Sequence, residues 1–170
     1  MNNSNNSSRP VLRLERSILQ TTLDVVAIAG IVANFILIIY SWKTLPEKIP
    51  IHFDFSGKVT GYGSKDTIWL LSLSSIFSYF LLKIISRYPH TFNYPFPITA
   101  ENAPTQYRIV LTMMYWLRAE MIWLFTLIQW QIIVAATSPS YPPNLLLILL
   151  PSVGIFITIA FYFAKAFQAR

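Results

Sequence analysis

VVAIAGIVANFILIIYSW, residues 25–42, runs for 18 residues without a charged side chain. As helix it approaches the roughly 20 residues that cross about 30 Å of hydrocarbon. Working outward, three more apolar runs follow at residues 67–85, 109–136 and 145–163. Composition agrees, since 54% of the 170 residues are hydrophobic and 12% charged, whereas a soluble domain carries about a quarter charged. The reading is an all-α integral membrane protein. Four transmembrane helices are expected, with a small strand-and-turn extracytoplasmic loop after the first.

Residues 25–42 start too late and run too long for a signal-peptide core, and no small-residue cleavage pattern follows. They are expected to remain as the first span. The lack of cysteine removes disulfides, thiolate metal sites and cysteine nucleophiles. A net charge of +6 would suggest nucleic acid for a soluble protein. In a membrane protein, basic residues fix orientation and meet anionic lipid, so the expected partner is the lipid bilayer and not nucleic acid.

Arg9, Arg13, Arg16, Lys83, Arg87, Arg108, Lys165 and Arg170 fall on one side of the four runs, and Lys43, Lys48, Lys58 and Lys65 on the other. That asymmetry places both termini in the cytoplasm of a multi-pass cell-membrane protein and the first loop outside. The domain reading follows: a disordered polar start at 1–10, then an interfacial helix or helix extension at 11–24. A two-span unit at 25–85 holds the outer loop 43–66, a cytoplasmic loop covers 86–108, and 109–170 carries the third and fourth spans. Trp42 and Trp69 mark interfacial span ends, and Pro151 predicts a kink in the fourth span.

The third span carries the polar residues. Arg118 and Glu120 stand two apart, about 200° around a helix, and cannot pair with each other. Asp24 is the expected partner of Arg118, and Lys83 or Arg87 that of Glu120. Such intramembrane charges raise a functional hypothesis, with a structural ion-pair network at the inner leaflet as the alternative. Gln129 aligns with Arg118 and Gln131 with Glu120, which predicts two polar seams facing different neighbouring helices. Trp116, Trp123 and Trp130 form a stripe at heptad spacing, read as packing.

IPIHFDFSGKVTGYGSK, residues 49–65, changes the period to two. Ile49, Ile51, Phe53 and Phe55 alternate with Pro50, His52, Asp54 and Ser56, as in a half-buried strand. Ser56-Gly57 reads as one turn and Gly61-Tyr62-Gly63 as another. His52 and Asp54 would then share the wet face, with Glu47 and Lys65 nearby, as candidate binding residues. Structural hydrogen bonding, ligand or peptide recognition, and metal or catalytic chemistry all remain open for them. Neither a nucleophile–base motif, a phosphate-binding glycine loop nor a second nearby histidine supports chemistry, so no enzyme activity, metal or cofactor is expected.

LPEKIPIHFDFSGKVTGYGSK, residues 45–65, resembles the loop signature of a prokaryotic membrane family known as domain of unknown function sixteen-forty-eight. Pro46, Glu47, Ile49, Pro50, His52, Phe53, Asp54, Gly57, Gly61 and Lys65 match that pattern in order. FNYPFPITAENAPTQYR and WLRAE look similar to longer members. The resemblance implies a membrane protein with no established catalytic residues or cofactor. Its better-known relatives, of the Sdp type, are toxin-immunity and signal-transducing membrane proteins with more spans. The expected function is therefore non-enzymatic: sensing or binding at the outer loop, or an immunity-like or accessory role. The alternative is a small transporter or channel component using the polar third span. A homo-oligomer or a membrane-protein partner would offer cover for those polar residues.

Overall fold

Ser17 opens the first helix. Its hydroxyl accepts from the Gln20 backbone N–H, and its own N–H donates to the Gln20 side chain, both at 3.2 Å. Two donors that a helix start leaves unpaired thus find partners. The computed structural model describes residues 9–138 and 143–169. Its elements are α1 (Ile18–Ser41), β1 (Lys48–Phe53), β2 (Val59–Ser64), α2 (Trp69–Ile85), α3 (Ala103–Thr137) and α4 (Leu146–Gln168). A 3-10 turn, Lys65–Ile68, leads β2 into α2. All four helices, α2 together with that turn, are long and apolar enough to cross a membrane.

The segment 11–24 divides at Ser17. Residues 18–24 belong to α1, while residues 11–17 are not helical, so no separate interfacial helix forms. The physical reason is the capping box, which ends the helix there, and the partners that the preceding chain finds elsewhere. Arg9 donates to the carbonyls of His90 and Phe92 at 3.2 and 2.5 Å, and the Tyr107 hydroxyl donates to that of Pro10 at 3.1 Å. The segment becomes a strap across the end of the bundle that holds both termini. Of the start expected to be disordered, residues 1–8 lie outside the described residues.

α3 is the axle. It packs against α1, α2, α4 and β1, and its 35 residues extend about 52 Å at about 1.5 Å per residue. Near the terminus end, Leu23, Ala27, Tyr79, Tyr115, Ala119 and Ile122 form one apolar cluster. At the hairpin end, Ile38, Leu45, Ile49, Ile68 and Ile133 form another. Gly30 permits the close approach of α1 and α3, because a Cβ there would lie 2.8 Å from Ile122 Cγ2. Beside it the Trp123 indole donates to the Val26 carbonyl at 3.0 Å.

Polarity is inverted relative to a soluble bundle. Asn34, Ser72, Gln129 and Arg118 are buried, while Ile39, Phe77, Leu150 and Phe156 are exposed. α4 is the extreme case, with Tyr162 its one buried residue among those described. Pro151 lies inside it, where the missing N–H leaves the Leu147 carbonyl without its helical donor.

Candidate functional site

The hairpin is built around Asp54. Its Oδ1 accepts from the Ser56 hydroxyl at 2.7 Å, the Ser56 N–H at 2.9 Å and the Lys58 N–H at 3.0 Å. The backbone closes the same loop, with Asp54 N–H donating to the Lys58 carbonyl and Gly57 N–H to that of Asp54. The Ser56 hydroxyl first, then the backbone N–H groups of Lys58 and Ser56, hold the Asp54 carboxyl below its ordinary range. Gly57 has φ +83°, a conformation that glycine adopts without the steric cost of a Cβ.

The strand alternation ends sooner than the sequence pattern implies. β1 stops at Phe53, and the pairing slips between Pro50 and His52 and again between His52 and Phe53. Each slip is a bulge that re-aims side chains. Ile49 and Pro50, ahead of the slips, are both buried, while Phe55, expected on the packed face, lies beyond the strand and is 103% exposed. Gly61-Tyr62-Gly63 is not a second turn; it lies within β2, paired with β1.

The four candidate loop residues do not converge. Glu47 and Lys65 pair with each other, Nζ to Oε1 at 2.7 Å, while the Lys65 ammonium also lies 5.2 Å from the Trp42 ring centroid. Asp54 is occupied by its own turn. His52 is exposed opposite Gly61, its ring lying against that glycine, and is not among the hydrogen-bond partners of the Asp54 carboxylate. Among the described residues no group of three or more His, Asp or Glu side chains could hold a metal ion. Sequence reasoning passed over Tyr62, exposed on β2, and placed Phe55 inside.

In the bundle, Arg118 Nη1 donates to Asp24 Oδ1 at 2.6 Å, as the spacing anticipates. Its guanidinium lies 4.7 and 5.1 Å from the Tyr115 and Tyr79 ring centroids, and Arg16 approaches the other Asp24 oxygen at 3.6 Å. The expectation that Lys83 or Arg87 answers Glu120 is overturned. Glu120 Oε1 accepts from the Thr158 hydroxyl of α4 at 2.6 Å, and Lys83 donates to Tyr79 on its own helix at 3.3 Å. Glu120 projects about 200° from Arg118 on α3, so it faces α4 and not α2.

Deeper in the bundle, Gln129 Nε2 donates to the Asn34 carbonyl at 2.6 Å, and its Oε1 lies 3.2 Å from the Ser72 hydroxyl. Ser72 also reaches Asn34 Oδ1, and Asn34 Nδ2 reaches Thr126 Oγ1 at 3.4 Å. On the other side of α3, Gln131 donates to the Asn144 carbonyl at 2.8 Å. The two seams thus meet different neighbours. Asn34 and Ser72 went unread in the sequence, although a lone Asn in an apolar run and serines at 72, 75 and 78 signal buried polar pairing.

A bundle of four membrane-length helices, capped at one end by a two-stranded hairpin, is the class this geometry defines. Residues 29–76, which span the second half of α1, the hairpin and the first turns of α2, match the family model described as "Domain of unknown function (DUF1648)". The matched segment takes in residues 45–65, whose resemblance to that family's loop signature is read from the sequence. The match covers well under half of the chain. No curated protein and no solved structure matches the chain.

Proposed function

We propose that the chain is a non-enzymatic, multi-pass membrane protein that recognises a partner with its hairpin on the outer face of the cell membrane. Insertion is supported by the apolar exterior of the helices, which belongs in hydrocarbon. The orientation is supported by the surplus of Lys and Arg at the terminus end. The observation that carries recognition is Phe55: a wholly exposed aromatic on a turn held by three bonds to Asp54 Oδ1 and two between backbone groups. Large exposed apolar groups on ordered frames are the usual anchors of binding surfaces. Tyr62, Lys48 and Lys58 line a cavity of about 400 Å3 beside the hairpin, walled by Ala135, Ala136 and Pro143.

In this reading Glu47, Asp54 and Lys65 keep the hairpin in shape, and His52, Phe55 and Tyr62 make the contact. The resemblance to Sdp-type immunity and signalling proteins is compatible with recognition of an incoming molecule at this face. The test is complementation of a deletion strain by a Phe55→Ser, Tyr62→Ser chain that inserts normally. Loss of the phenotype rescued by wild type is expected. Full rescue would exclude the hairpin as the recognition element.

Transport along α3 is a second reading, favoured by Glu120, whose Oε2 is buried without a partner. It expects Glu120→Gln to abolish ion flux in proteoliposomes; unchanged flux removes it.

A further inference from the structure

At the opposite end of the bundle from the hairpin, a cavity of about 350 Å3 is lined by Arg13 and Arg16 of the strap, Lys83 and Arg87 of the α2 end, and Arg118 of α3. Among the described residues, Asp24 is the only carboxylate that pairs with any of these five cations, taking Arg118 at 2.6 Å and Arg16 at 3.6 Å. Glu15, on the same strap, is exposed and makes no ion pair within the described residues. Arg13, Lys83 and Arg87 are left without carboxylate partners there.

A second, independent feature lies in the wall. Arg118 is 1% exposed, and its Nε is buried with no hydrogen-bond acceptor. With Asp24 the one carboxylate pairing with these five cations among the described residues, the cavity carries an excess of positive charge. An oxyanion with several acceptors, such as a phosphate, matches that excess and the geometry that guanidinium groups prefer.

Depth identifies the source of that phosphate. Trp42 and Trp69 pack at a tilt of 55° with ring centroids 5.8 Å apart, aromatic residues of the kind that mark a membrane interface. Asp24 precedes Trp42 by 18 residues, about 27 Å along the helix at about 1.5 Å per residue. With a hydrocarbon core of about 30 Å, the Asp24–Arg118 pair stands at the opposite headgroup boundary. Leu12, Leu14 and Leu111 also line the cavity, giving an apolar margin next to the cations. We propose that this cavity binds the phosphate of an anionic phospholipid headgroup in the terminus-side leaflet, as basic pockets between membrane helices do.

The full-length chain, purified in detergent, would be titrated with phosphatidylglycerol, phosphatidylcholine or inorganic phosphate and followed by thermal unfolding and native mass spectrometry. Phosphatidylglycerol is expected to raise the unfolding midpoint and stay bound, and the other two to do neither. Lys83→Gln with Arg87→Gln weakens phosphatidylglycerol binding by about tenfold or more, and Lys83→Arg with Arg87→Lys retains it. Lys48→Gln with Lys58→Gln removes two charges from the hairpin end and leaves binding unchanged. Arg13→Gln, on the irregular strap, probes the cavity without altering a helix and weakens binding too. Equal weakening by the hairpin-end variant, or none by the Lys83 and Arg87 or Arg13 variants, overturns the proposal. Protection by inorganic phosphate equal to that by the lipid overturns the lipid assignment and gives the cavity to a soluble anion.

Discussion

Asp24 and Arg118 illustrate how a single pair can hold two helices and still be poor evidence of stability. Two charges are brought out of water, and their attraction offsets that loss because both Asp24 oxygens find arginines and the Arg118 guanidinium is flanked by Tyr79 and Tyr115. Removing one partner strands the other. Arg118→Met or Asp24→Asn alone should lower stability by about 3–5 kcal/mol, read from thermal unfolding in detergent. Asp24→Leu with Arg118→Met should recover most of that loss, and simple addition of the two losses would mean that the residues do not act as a pair. Asp54 behaves differently, because its carboxyl is depressed by donors within its own turn. Its folded value lies below the unfolded one, so its contribution is present above the ordinary aspartate value of 3.8 and is lost as pH falls through the depressed value. The stability difference between wild type and Asp54→Asn should accordingly be constant from about pH 5 upward and shrink below. A difference that persists unchanged at lower pH would remove the carboxylate from the account. The sequence made Arg118 and Asp24 legible through helical geometry. It did not reveal that Asp54 serves its own loop, because His-x-Asp in a strand and Asp at a turn are the same letters until the strand is seen to stop at Phe53.

Elements were easier to read than their boundaries. Apolar length located all four helices, since the hydrocarbon span admits few alternatives. The strand alternation located β1 and failed after it, because the chain leaves the strand for the Asp54–Lys58 turn, which carries Phe55 outward, and because the register slips where β1 pairs with Gly61 of β2. Periodicity holds no record of a bulge. The hairpin's shape should depend on Gly57, where an added Cβ would meet both a positive φ and the Pro143 carbonyl oxygen at 2.9 Å. Gly57→Ala should cost about 1–2 kcal/mol and speed proteolysis within the hairpin, whereas Tyr62→Ser, on its open face, should shift stability by under about 0.5 kcal/mol. Equal sensitivity at both positions would mean that the turn is not the frame. Within the bundle, Asn34, Ser72 and Gln129 tie α1, α2 and α3 across a layer with no apolar alternative partner. Gln129→Leu leaves the Asn34 carbonyl without its side-chain donor and should cost about 1 kcal/mol, in keeping with the modest worth of such bonds in membranes. Unfolding midpoints of Gln129→Leu, Asn34→Leu and the double variant would show whether the residues are coupled.

At the scale of the molecule the two ends are specialised in opposite ways. The hairpin end ties Asp54 into its own turn, pairs Glu47 with Lys65 and exposes Phe55 and Tyr62, while the terminus end gathers four cations beside the buried Arg118, whose Nε has no acceptor. That division is what the proposed placement calls for, with the hairpin in water outside and the basic cavity at a leaflet rich in anionic lipid. The charge asymmetry from which the orientation is inferred is legible in sequence; the convergence of Arg13 and Arg16 with Lys83 and Arg87 is not. It depends on the strap folding back over α2, which no local pattern encodes. The orientation can be measured directly because the chain has no cysteine, so any introduced thiol reports alone. A single Phe55→Cys chain in intact cells should react with a membrane-impermeant maleimide. An Ala169→Cys chain should react only after permeabilisation, since α4 ends beside the start of α3, where Gln106 donates to the Ala166 and Ala169 carbonyls at 3.0 and 2.9 Å. The reverse labelling pattern would turn the molecule over, and with it both the outward hairpin and the leaflet assigned to the basic cavity. Labelling of both positions in intact cells would break the four-span path itself, because helices α1 to α4 in succession return the chain to the side from which it started.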